Sequence, residues 1–269
     1  MGFTPMPGVF DRKRRRAIVR KISEEYEEAL STYFGTKKPD KKAAKSQHEG
    51  YVAALRSCGV EVEVLDPLEG HPDCCFVEDT AIVFEDCVVI CNPGHPSRVG
   101  EVESIAECLS EEFEVLRMPS NTMMDGGDVI YTGSEFLVGL STRTNAKGAA
   151  FLSEFAAKRN ISTQIIEVPK TTLHLTTVCS VPRDGTIIAA EGHLHPNQLD
   201  GFEEIIWIPA EEAYAANTIA FEDGKIIISE GFPITIERVQ NAGFEPIIVA
   251  MDEIMQADGS LTCLSLFIG

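Results

Sequence analysis

Asn217-Thr-Ile-Ala-Phe-Glu-Asp-Gly-Lys-Ile-Ile-Ile-Ser229 reads as two short apolar strands joined by an Asp-Gly turn. Asp-Gly between apolar runs is a strong local hairpin signal. The same pattern stands at residues 79–90, 128–139 and 177–190. A fifth first strand, Leu261-Thr-Cys-Leu-Ser-Leu-Phe-Ile268, ends the chain. After each hairpin the apolar period changes to that of a helix and then returns to that of one more strand. Helices are predicted over 99–113, 146–158, a short 197–201 and 233–242. The unit is strand–strand–helix–strand and recurs roughly every 40–50 residues, the mark of a repeat architecture.

The two chain ends are the exception. Residues 43–58 predict a helix stopped by Gly59, and 60–65 alternates as a strand, but no hairpin precedes them. The final strand lacks its helix. Together the ends complete a fifth unit, and joining them closes a ring with no exposed sheet edge. The segment between Ile22 and Tyr33 predicts a further amphipathic helix. No linker rich in Gly, Ser or Pro divides residues 1–269, so a single domain is expected.

Composition excludes several functions. Net charge is −19, which argues against a nucleic-acid partner and favours a cationic small molecule. The basic run Arg12-Lys-Arg-Arg-Arg16 is expected on a solvated helix face. No apolar run reaches membrane-spanning length, and no signal-peptide pattern opens the chain, so a cytoplasmic protein is expected. Its eight cysteines are then expected as free thiols. Cys87, Cys91 and His95 match zinc spacing only loosely, and no metal or other cofactor is expected.

Chemistry-bearing residues sit at equivalent points, at or just before the first strand of each unit: Glu78 and Asp79, Asp125 and Asp128, His174, Asn217 and Cys263. Taken singly, each has a plain structural explanation. Cys263 reads as a buried strand cysteine, His174 as a core histidine, and Asp125-Gly-Gly-Asp128 as a turn. The ring gives them one axis, and a thiol, an imidazole and an orienting carboxylate are the usual set for thiol catalysis. Glu78 and Asp79 repel each other unless a cation lies between them. Alternation sends neighbouring side chains to opposite faces of a strand, so at least one must stand at an irregular start. The pair suits a planar guanidinium. Arg98 and Arg143 follow the second strands of two hairpins and could hold a carboxylate.

Pro72-Asp-Cys-Cys-Phe-Val-Glu-Asp-Thr-Ala, Pro93-Gly-His-Pro-Ser-Arg, Met124-Asp-Gly-Gly-Asp-Val, Gly139-Leu-Ser-Thr-Arg-Thr-Asn, Leu173-His-Leu and Asp258-Gly-Ser-Leu-Thr-Cys, in this order, resemble the dimethylarginine dimethylaminohydrolases. The resemblance runs nearly end to end. It implies the pentein fold, a five-bladed α/β propeller with pseudo-five-fold symmetry, and hydrolysis of methylated arginines to citrulline without a cofactor. It implies Cys263 as nucleophile, His174 as general acid–base and Asp125 as its orienting carboxylate. Glu78 and Asp79 would bind the guanidinium, Asp73 the α-amino group, and Arg98 and Arg143 the α-carboxylate. Ile22 would belong to a mobile lid, and Asp258 is counted with the substrate-binding residues. Arginine deiminases and amidinotransferases carry an Asp two residues after the His; Thr176 stands there, which favours a methylated substrate. Leu264 replaces a second Cys of the mammalian members. A monomer or homodimer is expected. The competing readings are another guanidine hydrolase such as an arginine deiminase, a non-catalytic propeller like the ribosome anti-association factors, and a structural zinc protein.

Overall fold

The computed structural model describes residues 14–269. Strand β1 (Arg16–Arg20) is followed by helix α1 (Lys41–Ser57) and β2 (Glu61–Leu65). The first blade is β3 (Ala81–Val83), β4 (Cys87–Ile90), α2 (Val102–Leu109) and β5 (Glu114–Arg117). The second is β6 (Val129–Tyr131), β7 (Glu135–Leu140), α3 (Ala146–Ala157) and β8 (Ser162–Glu167). The third, β9 (Cys179–Arg183), β10 (Thr186–Ala190) and β11 (Glu204–Ile208), has only a 3-10 turn, Pro196–Gln198, in place of its helix. The fourth is β12 (Ile219–Ala220), β13 (Lys225–Ser229), α4 (Pro233–Asn241) and β14 (Glu245–Val249). A short helix α5 (Asp252–Met255) leads to β15 (Ser265–Phe267).

These strands make five separate three-stranded sheets, and the fifth is β15-β1-β2. In every sheet the central strand runs antiparallel to the first and parallel to the last. The ring therefore closes as expected, with Ala17 opposite Phe267 and Val19 opposite Ser265. Central strands such as Ile226-Ile-Ile228 are fully buried, which suits β-branched side chains with a neighbour on either face. The apolar cores lie in the wedges between blades. One joins Phe84, Phe136 and Leu152 of the first two; another joins Ile18, Leu266 and Ile105 across the closure. Hairpin turns of blades two to four carry Gly133, Gly185 and Gly224 at positive φ, where a Cβ would be strained.

Three expectations need correction. Residues 22–33 hold only a 3-10 turn, Tyr26–Glu28, not a helix. The reason at its end is hydrogen bonding: the backbone N–H groups of Leu30, Thr32 and Tyr33 donate to the side chains of Asp73 and Asp258, not to carbonyls one turn back, and those of Phe34, Gly35, Thr36 and Lys37 continue the pattern to Asp258 and Gln256. The basic run does not make a helix face either. Arg12 and Lys13 lie outside the described residues, and Arg16 opens β1, whose register is set by the C-terminal strand. Residues 99–113 divide into a 3-10 segment, Pro96–Glu101, and the shorter α2.

Candidate active site

Each first strand is preceded by an irregular turn, and these turns surround the ring axis. Val77–Thr80 carries Glu78 and Asp79, Gly126–Asp128 follows Asp125, Leu175–Thr177 follows His174, and Thr262–Leu264 carries Cys263. The adjacent carboxylates thus stand on 3-10 turns, not on strands, which lets both face inward. All of these side chains are buried.

A shallow pocket is lined by Leu30, Asp73, Asp79, Arg143, His174 and Cys263, among others. His174 Nε2 lies 3.0 Å from Asp125 Oδ2. Its Nδ1 has no hydrogen-bond partner among the described residues and lies 3.8 Å from Asp79 Oδ1. The ring is therefore held at one nitrogen and free at the other. Asp125 also accepts from the Gly94 N–H at 2.6 Å. Gly127 allows the turn to come this close: a Cβ there would meet His174 Nδ1 at 2.7 Å and Asp79 Oδ1 at 2.9 Å. Gly126 is constrained as well, since its Cβ would sit 2.1 Å from the Glu78 carbonyl.

Electrostatics separate the groups. Burial opposes charge on His174, but Asp79 and the bond to Asp125 outweigh it and hold the imidazole pKa up to about 9. Burial, reinforced by Asp79, pushes Glu78 up to about 8. Burial works against the Asp79 carboxylate too, yet His174 and Arg98 bring it below the usual range. Burial and then the charges of Glu78 and Asp79 push the Cys263 thiol well up. These environments favour the protonated form of His174 and the ionised form of Asp79, and disfavour the Cys263 thiolate. Ser260 Oγ lies 3.3 Å from Cys263 Sγ.

Donor atoms of Asp79, Asp125 and His174 all lie within 4.8 Å of one another, the spacing of a metal site. Cationic charge is already supplied there by Arg98 beside Asp79 and by Arg143, 3.6 Å from Asp125. Cys87 and Cys91 belong to no donor cluster among the described residues. All eight cysteines are free.

Several predicted site residues have other duties. Arg98 is buried; it donates to Asp79, to the Phe76 carbonyl at 2.7 Å and to Glu101 at 2.9 and 2.7 Å. Its first task is to hold Asp79, and Arg143 is the less committed guanidinium in the pocket. Asp258 lines the pocket, and its carboxylate also accepts from the backbone N–H groups of Thr32, Tyr33, Phe34 and Gly35. Ile22 is buried in the core of the closing blade, and the residue of that segment at the pocket is Leu30. Leu30 N–H donates to Asp73 Oδ1 at 3.0 Å, which leaves the other Asp73 oxygen available. Leu30 and Glu101 were not anticipated. Neither stands at a blade entry, and only the fold brings them to the site.

The free space in this pocket is about 20 Å³, roughly room for one water. An amino-acid substrate is larger than this space. On the far side of Glu78 a second small cavity of about 50 Å³ is lined by Thr176, Thr218 and Thr262.

The family model described as N,N dimethylarginine dimethylhydrolase, eukaryotic, matches residues 23–266. The N(G),N(G)-dimethylarginine dimethylaminohydrolase of Pseudomonas aeruginosa is 35% identical over 238 residues, covering 88% of this chain and 92% of its own. The enzyme of that name from Streptomyces coelicolor is 31% identical over 255 residues, covering 94% and 96%. A solved structure of a P. aeruginosa DDAH mutant complexed with citrulline superposes with a TM-score of 0.88 at 32% identity, over 94% of this chain and 98% of that one. The N-terminal domain of ArgZ, a cyanobacterial arginine dihydrolase, shares the fold with a TM-score of 0.85 at 18% identity, over 94% and 97%. The sheet topology, the turn-borne site and these matches agree: the chain belongs to the dimethylarginine dimethylaminohydrolase family.

Proposed function

We propose that the protein hydrolyses the side chain of Nω-methylated arginines to citrulline and methylamine or dimethylamine, with Cys263 as nucleophile. One observation carries this reading. A thiol, an imidazole held by Asp125 and the buried carboxylate of Asp79 come together from four different blades, with the buried Glu78 beside them lining the adjoining cavity.

The guanidinium enters beside Glu78 and Asp79. Its charge favours the ionised forms of Glu78 and Cys263, whose protons pass to solvent. The thiolate attacks the guanidinium carbon and forms an S–C bond. The bond from that carbon to the methylated nitrogen breaks as His174 Nδ1, the unpartnered nitrogen, gives its proton to the leaving amine. The covalent S-alkylthiouronium then remains on Cys263. Water gives one proton to His174 and its oxygen to the same carbon; as the S–C bond breaks the second proton passes to solvent and the carbonyl forms, which releases citrulline and regenerates the thiolate.

Asp125 keeps the imidazole oriented throughout, as the triad carboxylate does in thiol and serine hydrolases. Arg143 suits the α-carboxylate and Asp73 the α-amino group. Thr176 donates its hydroxyl to the Gly127 carbonyl at 2.8 Å and so adds no carboxylate for an unsubstituted guanidinium nitrogen. That supports a methylated substrate over arginine. We take the chain as one domain, because the closing sheet needs both ends. Eight free thiols suit a reducing cytoplasm. No helix among the described residues is long and apolar enough to cross a membrane.

Citrulline release from asymmetric dimethylarginine, monomethylarginine and arginine, measured side by side, tests the proposal. Turnover of the methylated substrates with little from arginine is expected. Preferred turnover of arginine would make the protein an arginine deiminase, and no turnover of any would return it to a binding role.

A further inference from the structure

Asn217 opens the fourth blade, the one blade without a part in the chemistry above. Its side chain is buried and fully engaged. Nδ2 donates to the Thr176 carbonyl at 2.7 Å and to Thr262 Oγ1 at 2.9 Å, while Oδ1 accepts from the Thr262 N–H at 3.0 Å. The amide can stand only one way round, because the Thr176 carbonyl can only accept and the Thr262 N–H can only donate. With a donor from Asn217 on its oxygen, the Thr262 hydroxyl points its own hydrogen elsewhere. It donates to Glu78 Oε2 at 2.8 Å.

These bonds complete a ring. Thr262 links the fifth blade to Glu78 of the first, and Gly127 N–H of the second donates to Asp79 of the first at 3.0 Å. Thr176 Oγ1 of the third reaches the Gly127 carbonyl, and Asn217 bridges the third to the fifth. Every blade entry is tied to the next around the axis.

We propose that Asn217 is a positioning residue: through Thr262 it fixes the turn that carries Cys263 and forces a hydroxyl donor onto Glu78, so that this carboxylate is ready to ionise for a guanidinium. The inference rests on the reading that Glu78 receives the substrate cation. Charged and titratable groups around Glu78 are Asp79 on its own turn, His174, Cys263 and Tyr51, with Arg14 lining the adjoining cavity. Asp79 opposes ionisation of Glu78, whereas His174 and the Thr262 bond favour it.

Removing the donor therefore moves the ionisation of Glu78 to higher pH. The test is the pH profile of kcat/KM for asymmetric dimethylarginine in Thr262→Val, Thr262→Ser, Asn217→Ala and Glu78→Gln, with thermal unfolding checked for each. In Thr262→Val and Asn217→Ala the acid limb should move up by about one pH unit, about tenfold in kcat/KM below the limb. Thr262→Ser, which restores the hydroxyl, should return the limb to its wild-type position. If both variants lose activity equally at every pH, or keep the wild-type limb, Asn217 is a structural tie only and the proposal fails. Should Glu78→Gln keep the wild-type profile and KM, the guanidinium reading itself fails, which is a separate outcome. If Asn217→Ala does not fold, the Thr262 pair decides alone.

Discussion

Gly127→Ala is the sharpest probe of how closely the blades must meet. No positive φ is required at this position, so alanine faces no backbone strain and the cost is steric. The added Cβ would lie 2.7 Å from His174 Nδ1 and 2.9 Å from Asp79 Oδ1. Against an ordinary approach of about 3.4 Å the neighbours must give by about 0.5–0.7 Å. Neither has room. His174 is buried and held by Asp125, while Asp79 is held by Arg98 and by Gly127 N–H itself. Overpacking of this kind costs about 1–3 kcal/mol. In a chain of this size that lowers Tm by a few degrees. The catalytic cost is larger, since misplacement by about 1 Å can lower the rate about 10²-fold. Citrulline release should fall by about that factor in kcat while the protein stays folded. Gly50→Ala is the control: it lies in α1 with nothing within 4 Å of the new Cβ, so activity should hold and stability rise by up to about 1 kcal/mol. Wild-type kcat in Gly127→Ala would refute the claimed geometry of imidazole and carboxylate.

Four further outcomes follow from the site. Cys263→Ser should abolish citrulline formation with no loss of fold, checked by activity and thermal unfolding; normal turnover would remove Cys263 from the mechanism. Glu78 holds its proton up to about pH 8 when the site is empty, and a bound guanidinium favours the ionised form, so substrate binding should release a proton and strengthen as pH rises toward 8. With His174 as the proposed acid, its proton lost above about 9, kcat/KM should fall beyond that pH; calorimetry in two buffers and a pH–rate profile check both limbs. Asp258→Ala should free the strap at 32–35, raising KM more than it lowers kcat and speeding limited proteolysis between residues 30 and 37; unchanged KM and protease resistance would deny the strap its role.

The repeat was legible because each blade repeats its own local pattern: an apolar hairpin, then a helix, then a strand. The same repeat made Cys263, His174, Asp125, Glu78 and Asp79 stand out at blade entries, where single residues carried little weight. The 22–33 segment was misread for a physical reason. Its apolar spacing suits a helix, but the N–H groups at its end are taken by distant carboxylates, that of Leu30 by Asp73 and those of Thr32 and Tyr33 by Asp258, more than 200 residues away. No local pattern can show such a partner. The position of Arg98 after a strand suggested a substrate clamp; its further, buried bonds to Asp79 and Glu101 depend on how α2 and its entry turn return to the axis.

Sequence alone determined the number of blades, the closure by the two ends, and the candidate reacting groups, since these depend on local periodicity and residue chemistry. Tertiary structure decided how those groups are charged and held: the paired nitrogen of His174, the Gly127 contact, the strap pinned by Asp258, and the hydroxyl forced onto Glu78. Those depend on distances between residues of different blades, and such distances exist only once the ring has closed.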